Sequence, residues 1–153
     1  MSSFVGEYTC KLDDKGRVKV PAELKRKLQM FSAGGEDMFV LKRGYEGSLD
    51  CYPMSSWKKE LVKVQAKVNS YTQEGRMFLR SFLNGIKEVG LDSADRMLIP
   101  AALLSEVGIK GEMVIVALLD RMELWDPETL RKHRQELDPQ AFAELSAKVM
   151  GQP

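Results

Sequence analysis

An ungapped internal repeat constrains this chain more than any other feature. Gly6–Leu24 overlays Gly85–Leu103 at a constant offset of 79, and seven of the nineteen positions are identical. They are Gly6/Gly85, Leu12/Leu91, Asp13/Asp92, Arg17/Arg96, Pro21/Pro100, Ala22/Ala101 and Leu24/Leu103. Apolar character persists at Cys10/Val89, Val18/Met97 and Val20/Ile99, where burial demands it. The first half therefore reads as a duplicate of the second. A chain of 153 residues accommodates one domain or two small fused ones.

Each copy decodes in the same way. A β run (Tyr8–Leu12; Lys87–Leu91) enters a polar turn (Asp13–Gly16; Asp92–Asp95), and a second β run leaves it (Arg17–Val20; Arg96–Ile99). These features predict a hairpin, with Gly16 free to take positive φ and Asp95 able to tolerate it. Pro21 and Pro100 then open short helices as first helical residues. Gly34-Gly35 and Gly108 are expected to close them. Two more β runs follow in each copy: Met38–Leu41 with Ser48–Tyr52, and Met113–Ala117 with Arg121–Trp125, the latter joined near Asp120. Pro53 and Pro127 again precede helix-forming sequence. One such unit is too small to build much of a core, so two fused units are expected to bury one sheet face against the other.

Between the copies, Trp57, Leu61, Val64, Val68 and Tyr71 are spaced 4, 3, 4, 3, an amphipathic helical stripe. Phe78 and Phe82 continue it beyond a break near Ser70–Thr72. The stripe is expected to pack within the chain, with a subunit interface as the alternative. Asp138-Pro139 starts a last amphipathic helix running to Met150. The division that follows is a β module over 6–53, a helical linker over 54–84, a second module over 85–126 and a helical region over 127–153.

Composition removes several function classes. There is no apolar run of about 18 residues, and the amino-terminal stretch has no signal-peptide pattern, so a cytoplasmic protein is expected. Cys10 and Cys51 match no metal or redox spacing and read as buried thiols. His133 is the single histidine and lies in a charged run expected to form a solvated helix face. Chemistry that needs several histidines is excluded. There is no Gly-rich phosphate loop, and Asp13 and Asp92 each sit near an arginine that repels a cation. Neither an enzyme, a cofactor nor a small-molecule substrate is expected.

Net charge is +1, but its distribution matters more. Residues 1–78 carry 14 basic and 10 acidic side chains, whereas residues 79–153 carry 9 and 12. Lys11–Lys27 alone holds seven basic residues against three acidic, a patch that can neutralise phosphates. Within it, Arg17 offers a planar fork matching guanine O6 and N7 in the major groove. Asp13 can aim that fork or pin the turn. Lys11, Lys15 and Lys19 are placed to touch phosphates. A lone Asp-Lys-Gly turn is ordinary hairpin chemistry. Here, however, Asp14-Lys15-Gly16 and Ser93-Ala94-Asp95 share nothing, yet Asp and Arg persist at both ends. A structural salt bridge remains the competing explanation for that persistence.

Both Asp-x-x-x-Arg motifs lead into a hydrophobic-x-hydrophobic-Pro step (Val18–Pro21; Met97–Pro100). With the Leu-Trp-Asp stretch at 124–126 and the helix around Arg76–Leu83, they resemble the MraZ family of bacterial transcriptional regulators within the SpoVT-AbrB group. The resemblance spans nearly the whole chain. It implies an α+β fold of two tandem swapped-hairpin AbrB-like modules with a helical insert and C-terminal helices. It further implies ring-shaped homo-oligomers, nucleoid association, and binding of double-stranded DNA at short G-rich direct repeats upstream of a division and cell-wall gene cluster, as a repressor. Asp13, Arg17, Asp92 and Arg96 would be the DNA-contacting residues. Residues 90–106 hold Arg96 as their only base against three acids, so the first turn is expected to dominate phosphate contact. The rival is an antitoxin-type AbrB module acting through a protein partner, which usually has one module and a tail.

Overall fold

A computed structural model describes residues 3–32 and 37–151. Among these residues, eight strands and six helices run in the order β1 (Phe4–Lys11), β2 (Arg17–Lys19), α1 (Ala22–Phe31), β3 (Met38–Arg43), β4 (Leu49–Pro53), α2 (Met54–Lys67), α3 (Gln73–Phe82), β5 (Lys87–Gly90), β6 (Arg96–Leu98), α4 (Ala101–Glu106), β7 (Glu112–Leu119), β8 (Met122–Trp125), α5 (Pro127–Gln135) and α6 (Pro139–Met150). The expected strands and helices are present, in an α+β arrangement. The expected closure of α1 at Gly34-Gly35 lies outside the described residues.

Strand pairing departs from the hairpin expectation. β1 and β2 share only the bridge Leu12↔Val18, and β5 and β6 only Leu91↔Met97. β1 instead crosses to the other half and pairs with β7 along its full length, from Phe4↔Leu119 to Lys11↔Glu112. β5 crosses the opposite way and pairs with β3. The resulting six-stranded sheet has the order β1-β7-β8-β4-β3-β5, and β2 pairs with β6 in a separate ribbon. Both orders are unchanged when the two halves are exchanged. The fold therefore has a local two-fold axis, which passes between Val18 and Met97 in the ribbon and between Asp50 and Glu123 in the sheet.

The hydrophobic pattern explains this interleaving. Phe39, Leu41, Leu49, Cys51, Met113, Ile115, Met122 and Leu124 turn one sheet face inward. The ribbon covers that face with Val18, Val20, Met97 and Ile99, α1 with Leu24 and Leu28, and α4 with Leu103 and Leu104. One core is thus built from both halves, and the expectation of two sheet faces packed together is replaced by one sheet under a ribbon and two helices. Cys10 and Cys51 are both free and buried, as read from the sequence.

Helix termini follow local chemistry. Pro21 and Pro100 lie just before the first helical residue rather than at it. Gly108 takes φ 72 beyond α4. Asp126 and Asp138 cap α5 and α6 by accepting from the Thr129 and Ala141 N–H groups.

The other sheet face carries α2 and α5. Trp57 of α2 meets Tyr52 edge-on at 5.3 Å and stacks on Phe82 at 5.9 Å. Leu130 of α5 packs with Val114 and Trp125. His133, expected on a solvated face, sets its ring against Trp125 at 5.0 Å. Only the start of the helical stripe is buried in the single chain. Trp57 is buried, Leu61, Val64 and Val68 are half-buried, and Tyr71 is 92% exposed. No helix among the described residues is long and apolar enough to cross a membrane.

Candidate nucleic-acid interface

The two Asp-x-x-x-Arg turns have the same internal geometry although their middle residues differ. In the first, Asp13 Oδ1 accepts from the Lys15 N–H at 3.0 Å and the Arg17 N–H at 2.8 Å. Asp13 Oδ2 accepts from Arg17 Nε at 2.6 Å. In the second, Asp92 Oδ1 accepts from the Ala94 and Arg96 N–H groups, each at 2.9 Å, and Asp92 Oδ2 from Arg96 Nε at 2.9 Å. The third interior residue takes positive φ in both, Gly16 at 83° and Asp95 at 59°. That shared backbone is why Asp suffices where the first copy has Gly. Hydrogen bonds from the Arg17 backbone hold the Asp13 carboxyl below the usual range, and those from Arg96 do the same for Asp92.

Each aspartate thus fixes the turn with one oxygen and the guanidinium with the other. Nε is occupied, and both Nη groups of Arg17 and Arg96 are without a hydrogen-bond partner among the described residues. Those four groups can still serve an acceptor pair such as the guanine edge. Both arginine side chains are about one-third exposed, an anchored base with a free fork.

Pairing of β2 with β6 places the two turns at opposite ends of one short ribbon. The register sets Arg17 opposite Leu98, Val18 opposite Met97 and Lys19 opposite Arg96. The ribbon continues into the turns, since the Val20 N–H donates to Asp95 O at 2.9 Å and the Ile99 N–H to Gly16 O at 3.0 Å. Val18 and Met97 face the core, so strand alternation turns Arg17, Lys19, Arg96 and Leu98 outward together. Arg17 and Arg96 are offset by two residues, about 7 Å along the ribbon.

This register also redistributes charge. Lys19 of the first copy stands beside Arg96 of the second. Lys25 reaches across to Asp95 at 3.3 Å while bonding Asp37 at 2.9 Å. The bond to Asp37 is the main reason its ammonium pKa is raised. The acidic second turn therefore borrows cations from the first half, which a count along the chain could not show. Lys15 is exposed within the first turn. Lys11 is apart from the ribbon, at the end of β1 and opposite Glu112. Two contributors escaped the sequence reading. Lys25 was counted in the basic patch but not placed, and Leu98 is an outward, 55% exposed apolar residue beside Arg17. The parity of Val18 and Val20, carried onto the second copy, would have turned Leu98 outward.

Fold and ribbon together define an α+β protein of two tandem halves that exchange strands around one two-fold axis. A family model described as "MraZ protein, putative antitoxin-like" matches the chain twice, over residues 3–81 and 82–151. The chain belongs to the MraZ family. It is 37% identical over 150 residues to the transcriptional regulator MraZ of Cytophaga hutchinsonii, covering 98% of this chain and 96% of that protein. It is 36% identical to that of Christiangramia forsetii, over 99% of this chain and 95% of the relative. The protein of the same name from Thermus thermophilus is 38% identical over 86% of this chain and 88% of its own.

Proposed function

We propose that this protein is a sequence-specific DNA-binding transcriptional regulator that reads DNA with the outer face of the β2–β6 ribbon. One observation carries the reading: two arginines, each anchored through Nε by an aspartate, present free Nη groups on one face of the ribbon, diagonally across it. Anchoring removes entropy that a loose guanidinium would lose on binding. Lys15 and Lys19 supply phosphate contacts around the arginines, and Lys11 extends them along β1. Leu98 offers an apolar surface of the kind that meets a thymine methyl. The family relation and the names of the relatives support regulation as the outcome.

The finer reading is repression of the protein's own division and cell-wall gene cluster, through short G-rich direct repeats, by a nucleoid-associated, ring-shaped homo-oligomer in the cytoplasm. Self-association is supported by apolar surface on the helices, including Met77 and Phe78 of α3 and Phe142 and Val149 of α6, each more than 40% exposed. Several ribbons on one assembly gain affinity through effective concentration. The reading assigns no reaction to the chain.

Gel-shift with DNA from upstream of the protein's own gene tests this reading, with and without Arg17→Ala, across a salt series. Wild type is expected to bind, and the variant to lose about tenfold or more, the scale of one guanine contact. Absence of wild-type binding at low salt defeats the proposal. The antitoxin-like family description favours a second reading, in which the ribbon serves only with a protein partner. Binding of DNA by the purified chain alone decides against it.

A further inference from the structure

On the sheet face opposite the ribbon lies a polar arrangement that DNA binding leaves unused. Asp50 on β4 and Glu123 on β8 face each other across the central strand pair, on the local two-fold axis. Like charges directly opposite on a sheet repel. Asp50 is only 8% exposed, yet it accepts no hydrogen bond and joins no ion pair among the described residues.

The nearby cations make their direct contacts elsewhere. Lys42 pairs with Asp50 across β3 and β4, but its ammonium donates to Arg43 O at 3.2 Å and lies over the Phe82 ring at 4.7 Å. Arg121 bonds Asp120 at 3.1 Å and the Tyr52 hydroxyl at 2.8 Å. Glu123 accepts one bond, from Trp125 Nε1 at 2.9 Å. A largely buried carboxylate with no direct donor is costly, and Lys42 and Arg121 act on this one only from a distance, so a cation reaching it through the cleft would complement it. Burial pushes the Asp50 carboxyl up to about 6, Glu123 and Glu46 adding to the rise and Lys42 and Arg121 opposing it.

The space for a cation is there. Asp50 and Glu123 line an open cleft of about 740 Å³ whose wall includes Leu118 and Leu119, with Glu46 and Asp120 also lining it and Arg121 the one basic residue among four acidic ones. Leu118 and Leu119 are 43% and 58% exposed. A cleft of this size exceeds a bare ion, and no group of acidic, His or Cys side chains among the described residues is arranged to hold a metal. Negative charge beside an aliphatic wall fits an ammonium on an apolar stem.

We propose that this cleft binds a small organic cation, its ammonium between Asp50 and Glu123 and its aliphatic stem along Leu118 and Leu119. Calorimetric titration of the full-length protein with 1,4-diaminobutane tests it, at neutral pH and fixed ionic strength, with sodium chloride and 1,4-butanediol as controls. Saturable binding of the diamine alone is expected. Asp50→Asn should weaken it about tenfold or more, the scale of a lost charged hydrogen bond. Glu123→Gln keeps an acceptor for the Trp125 N–H and should weaken binding too. It supplies the same comparison if the first variant does not fold. Leu118→Ser should weaken binding through the stem, and Arg17→Ala should leave it unchanged. Amide shifts should cluster at residues 45–50 and 118–123. Absence of saturable binding, equal affinity in a folded Asp50→Asn or Glu123→Gln variant, or shifts spread over the acidic surface would each overturn the proposal. None of these results touches the DNA reading, since the ribbon lies across the sheet.

Discussion

Asparagine in place of Asp13 separates the two services that this side chain performs. It can still accept the Lys15 and Arg17 N–H bonds through Oδ1, but it cannot hold the Arg17 guanidinium as an anion does. Asp13→Asn is therefore expected to fold normally and to bind DNA less tightly than wild type, though better than Arg17→Ala, in the same gel-shift. The shared ribbon also argues for comparable losses from Arg17→Ala and Arg96→Ala. Each should lower the slope of log affinity against log salt by about 1 if the guanidinium also meets a phosphate. A second turn that contributed nothing to the slope would return weight to the charge count along the chain. Protonation offers a separate test at this scale. Asp50 titrates near 6 in the folded chain, above an unfolded value of about 4, so the folded state holds the extra proton between those values. Stability falls as pH rises through that window, by up to about 3 kcal/mol for a difference of about 2 in pKa. Asp13 and Asp92 act in the opposite sense, their depressed values making stability fall as pH drops through the acid range. Thermal melts of Asp50→Asn from pH 4 to pH 7 should show a shallower decline than wild type.

Among the elements, α1 and α4 close the core beneath the ribbon, and Leu24 is the fully buried anchor of α1. Leu24→Ala is expected to cost about 3 kcal/mol through lost burial and a residual cavity. In a domain of this size that is a fall of roughly 6–12 °C in Tm by calorimetry. Leu24 was legible from the repeat alone, as were Val18, Val20 and their counterparts, because burial restricts residue type and duplication displays the restriction twice. Asp95 was legible too, since few residues accept positive φ. The partners of β1 and β5 were not. The turn at Asp13–Gly16 looks locally like a hairpin, and nothing near it announces that β1 continues into the other half to meet β7. Strand choice is a long-range competition for apolar surface, which local turn chemistry does not decide. For the same reason the candidate site was readable as two turns but not as one ribbon: Lys19 beside Arg96 exists only through pairing between residues far apart in the chain. The contact of His133 with Trp125 was hidden likewise, because a charged helical run does not reveal which ring lies beneath it.

At the scale of the molecule, the exchanged strands make the halves mutually dependent. The 153-residue chain should unfold in a single calorimetric transition despite its duplicated sequence. A fragment ending at Leu83 would leave β1 without β7 and β3 without β5. It is expected to fold only by exchanging β1 with a second fragment, and so to sediment as a dimer. A folded monomer would contradict the interleaving. The local two-fold axis between Val18 and Met97 has a consequence for what a single ribbon can read. Duplex DNA has dyads of its own, and a protein surface with a dyad lies most naturally along one of them. Arg17 and Arg96 would then address opposite strands, as the two halves of an inverted sequence. A direct repeat has no such symmetry, so its head-to-tail polarity must be matched by how successive copies of the chain follow one another along the helix.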